Sequence, residues 1–390
     1  MVNIDGEVAA GFEPVRDAFE VNFQQHGDVG AAFCLYQRGQ KVVDLWGGVA
    51  NADTDQAWDR DTLQLVFSTT KGATAVCALR LVERGELDLD APVADYWPEF
   101  KVEGKEHIPV RWLLTHRCGL PVIDARLTPS EALAWQPVVA ALAAQRPIWE
   151  PGTAHGYHAL TYGWLVGEVV RRVDGRSLGQ FFADEVAAPL GLEFWIGLPA
   201  DDEPRVSRLI QPDPVSMPED VDLDSLPKEL REMAALFLDP TSPNVRALTI
   251  TDPPIDWNAP ATHRAEVPAA NGICTARSLA RMYAGVIGEV DGVRVLSPET
   301  VAAASKTQSE GPDRILVFPT RFGLGFMLNS AFSPMLGDTS FGHAGAGGSL
   351  GFADPESGVA FGYVMNRMQQ NLAGDPRTVG LVDAVRGCLR

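Results

Sequence analysis

Ser68–Gly85 constrains this chain more than any other stretch. Ala73, Val76, Leu79 and Val82 recur at three-residue intervals, Ala75, Ala78 and Leu81 widen the apolar face, and Gly85 supplies a stop. A helix this apolar must be wrapped by other elements, so the fold is expected to be built around it. The polar residues sit at its start, in Phe67-Ser68-Thr69-Thr70-Lys71-Gly72. Ser68 and Lys71 are three apart, which on a helix puts both side chains on one face within hydrogen-bond reach. A serine hydroxyl needs a base to act as a nucleophile, and a lysine amine is a base only if burial, nearby positive charge or a helix N-terminus lowers its pKa. An N-cap serine beside a solvated lysine gives the same pattern. Ser225 and Lys228 repeat the spacing, but Pro227 between them denies the helix that would align the pair.

With 390 residues, the chain exceeds one compact core and points to two domains, one inserted in the other. No apolar run approaches 18 residues, and Met1 to Glu20 lacks the basic and apolar blocks of a signal peptide, so a cytoplasmic protein is expected. The five cysteines are scattered without a Cys-x-x-Cys pair, as reduced thiols would be. A net charge of −19 disfavours nucleic acid and anionic membranes as partners.

In chain order, Val8, Phe12, Val15, Phe19 and Phe23 predict a first helix within residues 8–25. The runs 31–36 and 42–46 flank Arg38-Gly39-Gln40 as a β-hairpin that leads into a turn at Gly47-Gly48. From Ser68 to about Arg172 the pattern is mainly helical. Residues 201–263 hold ten prolines and many acids, and read as a loop-rich insertion with one short helix at 226–237. Strands return at 322–328, 349–353 and 359–364, and 376–389 closes the chain as a helix. An α+β fold is expected: an antiparallel sheet built from both termini (1–70 and 265–390) with helices on its faces, and an inserted helical domain (71–264).

Three further segments carry chemistry. Tyr157 follows Glu150-Pro151-Gly152 at a turn into the helical run 160–172, where it is either a packing residue or, beside a cationic lysine, a phenol of lowered pKa able to relay protons. His343-Ala344-Gly345-Ala346-Gly347-Gly348 offers close backbone approach to a ligand and an N–H for a developing oxyanion, or simply a tight turn. Ser349 and Ser177 each sit in Gly-x-Ser-x-Gly, the nucleophile elbow of α/β-hydrolases. Neither has the required strand before it and helix after it. His155 and His158 form His-x-x-His without a local third ligand, so no metal site is expected.

Ser68-Thr69-Thr70-Lys71, Leu113 to Leu120, Pro151-Gly152 through Tyr157, Ala188 to Leu192 and His343-Ala344-Gly345 stand in the order found in the serine β-lactamase-like superfamily. The chain resembles its class C β-lactamase and family VIII carboxylesterase branch from about Phe12 to Asn366. The resemblance implies an active site in the cleft between the two domains and an acyl-enzyme on Ser68. It also implies proton transfer shared by Lys71 and Tyr157, an oxyanion hole from the N–H groups of Ser68 and Ala346, substrate contacts from His343, Gly345 and His158, and neither metal nor organic cofactor. Two positions depart from the lactamase pattern: Tyr157-His158-Ala159 replaces Tyr-x-Asn, and His343-Ala344-Gly345 replaces a Lys-Thr-Gly-type triad. The expected substrate is therefore a small or short-acyl carboxylic ester. A β-lactamase, D-amino-acid peptidase, amidase or acyltransferase would share the chemistry, and a binding protein without turnover would share only the fold.

Overall fold

The computed structural model describes residues 2–212 and 236–389. The strands are β1 (Ile4–Val8), β2 (Gly30–Gln37), β3 (Gln40–Asn51), β4 (Gln56–Ala57), β5 (Gln64–Leu65), β6 (Phe194–Ile196), β7 (Gly272–Cys274), β8 (Ser309–Pro312), β9 (Pro319–Phe322), β10 (Met327–Leu328), β11 (Phe341–Ala344), β12 (Leu350–Asp354) and β13 (Val359–Met365). Among the described residues, a ten-stranded antiparallel sheet runs β1-β3-β2-β13-β12-β11-β10-β9-β8, with β4 on β3. Both ends of the chain therefore build one sheet, joined where β2 pairs with β13 (Phe33 opposite Tyr363). A small second sheet, β5-β7-β6, lies beside the start of the central helix.

Both faces of the large sheet are covered, which accounts for the unbroken apolar run of β2. Phe33 and Leu35 share a core with Phe12, with Val15 and Phe19 of α1 (Glu13–Gln25) and with Leu381, Val382 and Val385 of the C-terminal helix α5 (Pro376–Cys388). Ala32, Cys34 and Tyr36 face the other way, in one core with Leu279, Ala280 and Tyr283 of α4 (Ala276–Ile287). The helical lobe is centred on α2 (Thr70–Glu83), whose first eleven residues apart from Arg80 are buried, packed against α3 (Thr161–Asp174). That is the wrapping its apolar circumference demands. None of the described helices is long and apolar enough to cross a membrane.

Several expectations are corrected. Val8 belongs to β1 rather than to the first helix, which starts at Glu13 with Pro14 in its first turn. The hairpin turns at Arg38 and Gly39, both with positive φ, but β3 continues through Gly47-Gly48 instead of turning there. Gly48 serves close packing: a Cβ would lie 2.0 Å from the Val29 carbonyl oxygen. The run 322–328 is two strands, β9 and β10, broken at Gly323–Gly325. Most of the helix expected at 226–237, together with Ser225 and Lys228, lies outside the described residues. The described parts of the insertion hold three short helices, Ala200–Arg205, Pro243–Arg246 and Pro260–Arg264.

Candidate active site

The nucleophile segment begins as a single 3₁₀ turn, Phe67–Thr69, that tightens the entry to α2. Phe67, just before Ser68, has φ of 44°, a strained conformation for a bulky residue. The surroundings hold it there. Thr70 Oγ1 donates to Phe67 O (2.6 Å) and accepts from Gly272 N–H of β7 (2.8 Å), and Val66 N–H donates to Gly272 O (2.9 Å). The Phe67 ring meets Trp257 of the insertion edge-on at 5.4 Å.

Ser68 is half-buried, and Lys71 behind it has no exposed surface. Lys71 Nζ lies 2.9 Å from Ser68 Oγ, 2.7 Å from Ala159 O and 3.0 Å from Ala269 O. Burial pushes the amine well below its ordinary pKa of 10.5. A neutral amine has two N–H donors and one lone pair. The two carbonyls can only accept, so in its neutral form the amine would spend both donors on them and leave its lone pair for the Ser68 hydroxyl. The helical spacing thus delivers a serine hydroxyl and a buried amine in hydrogen-bond contact.

Tyr157 is buried, with its ring 4.8 Å from Lys71 Nζ. The expected drop in its pKa is corrected: burial raises it, against the opposing hydrogen bond from Ser68. A phenol whose pKa burial raises above its ordinary value stays protonated near neutral pH, so Tyr157 stands as a proton donor. Its backbone N–H donates to Asp313 Oδ1 at 3.0 Å, and Ile315 and Leu316 N–H groups converge on the same oxygen at 2.8 and 2.9 Å. Asp313 therefore ties the tyrosine to the 315–319 segment.

The turn after β11 faces Ser68. Ser349 Oγ donates to Val66 O (2.8 Å) and lies 3.1 Å from Thr69 Oγ1, clamping this turn to the nucleophile turn. Gly345 is needed there because a Cβ would come within 2.2 Å of both Ser349 Oγ and Val66 O. Neither Ser68 N–H nor Ala346 N–H has a backbone acceptor among the described residues, so the two expected oxyanion donors are available on facing segments.

Of the three expected substrate contacts, His158 and Gly345 have their polar groups committed to the fold. His158 is fully buried: Nδ1 donates to Gly156 O (2.7 Å) and Nε2 accepts from Leu120 N–H (3.0 Å), so both nitrogens are committed, and burial lowers its pKa to about 3. His343 is buried beside Tyr157, ring centroids 5.9 Å apart, with Nδ1 donating to Ala344 O (2.6 Å); burial, reinforced by Lys71, lowers its pKa to about 3. Gly345 spends its N–H on Ser349 O and its carbonyl on Gly348 N–H. His158 and Gly345 thus shape the site through the fold, whereas His343 Nε2 is buried without a hydrogen-bond partner among the described residues. His155 turns to Thr320 Oγ1 (2.9 Å), away from His158. Ser177 caps a helix at Gln180 N–H (3.2 Å) and donates to Glu266.

Four contributors escaped sequence reasoning. Asp313 and Ser349 brace the site through hydrogen bonds that span 156 and 283 residues of chain, and Ala269 supplies its carbonyl from a loop with no motif. His116 belonged to a recognised motif without an assigned role. Its Nδ1 accepts from His158 N–H (3.2 Å), its carbonyl accepts from Gly156 N–H, and its ring packs 5.1 Å from Tyr157. A cavity of about 570 Å³, lined by Phe237, Leu316, Phe318, Phe332, Asn371 and Leu372, adjoins the segment that Asp313 holds.

A lysine whose pKa the fold lowers leaves a thermodynamic signature. Below pH 10.5 the unfolded chain keeps a proton that the folded chain gives up, so unfolding takes up a proton and rising pH favours the folded state. Urea unfolding at several pH values should show the wild type gaining on Lys71→Met by up to about 1.4 kcal/mol per pH unit between the lowered folded pKa and 10.5. Parallel stability profiles would show that Lys71 is charged in the folded protein.

Residues 15–384 match the Beta-lactamase family model. Among curated proteins, the chain is 38% identical over 365 residues to Esterase/beta-lactamase LipL of Mycobacterium tuberculosis, covering 92% of this chain and 81% of LipL. Among solved structures, it is similar to a family VIII carboxylesterase with a TM-score of 0.87 at 39% identity, over 99% of this chain and 100% of the other. A penicillin-binding protein homologue from Caulobacter crescentus gives a TM-score of 0.85 at 37% identity, again over 99% and 100%. The sheet built from both termini, the helix that starts at Ser68 and this near full-length match together make the chain a member of the Beta-lactamase family.

Proposed function

We propose that the chain is a serine carboxylesterase that hydrolyses small or short-acyl esters through an acyl-enzyme on Ser68. One observation carries the reading: Lys71 Nζ lies 2.9 Å from Ser68 Oγ while two carbonyl oxygens occupy its other hydrogen-bonding directions. Ser68 Oγ attacks the ester carbonyl as its proton passes to the Lys71 lone pair. The carbonyl oxygen gains the negative charge and is received by the N–H groups of Ser68 and Ala346. As the C–O bond breaks, the Tyr157 phenol protonates the departing alkoxide, and the proton held on Lys71 restores the phenol. In the second half a water gives its proton to the same pair and attacks the acyl carbon, and Ser68 leaves with that proton. The cavity lined by Leu316, Phe318, Phe332 and Leu372 supports a substrate with an apolar group.

The names of LipL and of the Caulobacter structure keep a β-lactam reading open, and the chemistry at two positions favours the ester. Position 343 holds a histidine that burial keeps neutral, where a lysine would give a substrate carboxylate a fixed cation. Position 159 is an alanine whose contribution is its backbone carbonyl to Lys71, so no side-chain amide is present to orient a lactam. The missing cation is worth about 1.5–3 kcal/mol and the missing amide about 0.5–1.5 kcal/mol. An ester also releases a better leaving group than an amide and needs less exact protonation of the departing atom.

Two results are expected. Intact-mass spectra after treatment with a reactive phosphonate should show an adduct on the wild type, Ser177→Ala and Ser349→Ala, and none on Ser68→Ala; an adduct that persists in Ser68→Ala would remove the assignment. The kcat/KM for a short-chain nitrophenyl ester should exceed that for a chromogenic cephalosporin by at least about 30-fold, the lower end of the losses above at about 1.4 kcal/mol per decade. Equal values, or a higher one for the lactam, would reverse the preference.

A further inference from the structure

Arg377, near the start of α5, is far in sequence from every residue placed in the reaction. Its side chain has no exposed surface, and each of its five N–H donors has an acceptor. Nε donates to Asp375 Oδ1 (2.9 Å), Nη1 to Asp28 Oδ1 (2.9 Å) and Arg367 O (2.8 Å), and Nη2 to Asp375 Oδ2 (2.7 Å) and the carbonyl of Gly347. Four of these five bonds would serve a structural ion cluster. The fifth reaches into the turn that carries Ala346.

Gly347 O belongs to the same planar peptide unit as Gly348 N–H. Gly348 N–H donates to Gly345 O at 3.1 Å, and Gly345 O shares its own planar unit with Ala346 N–H. The guanidinium is thus linked to the oxyanion donor through two rigid peptide planes joined by one hydrogen bond. A third bond, Gly347 N–H to Asn371 O (3.1 Å), holds the intervening peptide, and Asn371 Nδ2 in turn donates to Asp375 Oδ2 (2.7 Å). Gly348, with φ of 129°, admits the arrangement because a Cβ would lie 2.2 Å from Arg377 Nη2. We infer that Arg377 is a positioning residue for catalysis, which through Gly347 O sets the direction of Ala346 N–H in the oxyanion hole. The inference rests on the acyl-enzyme reading above.

A misdirected donor has a signature that loss of stability lacks. An oxyanion hole built for oxygen favours an ester over the matching thionoester, whose sulfur is larger and a weaker acceptor. Losing one donor costs about 10²–10³ in kcat. Arg377→Lys keeps the charge but has three donors instead of five and lacks the planar fork. It should lower kcat for the ester by about 10-fold or more with KM changed less than about threefold, and reduce the ester-to-thionoester rate ratio by about 10-fold. If Arg377→Lys does not fold, Asp375→Asn, which weakens the grip on the guanidinium at constant shape, is read in the same way with a smaller drop. An unchanged ratio in a folded variant that still forms the Ser68 phosphonate adduct would overturn the inference alone. Absence of that adduct in the wild type would overturn the acyl-enzyme reading and the inference with it.

Discussion

The burial of one amino group organises this protein. An ammonium moved out of water loses hydration worth several kcal/mol even after relaxation, so a lysine with no exposed surface is tolerated if it gives up its proton and satisfies its hydrogen bonds. Burial lowers the Lys71 pKa, and Ala159 O and Ala269 O satisfy its hydrogen bonds. The two carbonyls come from segments far apart in the chain, so the helical lobe and the return to the sheet must both be in place before the amine is satisfied. The assembled fold creates the base, and the helix alone does not.

The other contacts of the site follow the same pattern. The 3₁₀ turn that presents Ser68 is held by β7 through Thr70 and by the β11–β12 turn through Ser349. Tyr157 is fixed by Asp313 and leans on His116 and His343. Each catalytic group is thus supported by a buried polar residue from another element, which restricts it to one geometry. The histidines near Lys71 are all driven towards neutrality, chiefly by burial, so they bring nitrogen bases to the site without bringing positive charge.

Much of this was legible in the sequence because it is local. The Ser68–Lys71 spacing, the apolar circumference of α2, the Arg38-Gly39 turn and the helix announced by Asp375-Pro376 depend on residues within one or two turns of each other. What was missed depends on contacts across the chain. Nothing near Asp313 marks it as the anchor of Tyr157, and Ser349 looked like a decoy nucleophile when its hydroxyl is a clamp. His158 was expected to face the substrate because a motif position does not reveal burial, and its two nitrogens are committed inward to Gly156 O and Leu120 N–H. The direction of the Tyr157 shift failed for the same reason: a cationic lysine beside the phenol was expected to lower its pKa, and burial of the phenol itself raises it.

The claim on which the rest depends is that Lys71 is a free amine in the resting enzyme. It is tested most directly by NMR of protein labelled with carbon-13 at lysine ε-carbons, with the Lys71 signal assigned by its absence in Lys71→Arg. The account predicts that this signal stands at the neutral-amine position at about pH 7 and moves to the ammonium position only in acid, while exposed lysines titrate in their ordinary range near 10.4. A Lys71 signal that stays at the ammonium position up to about pH 9 would contradict it.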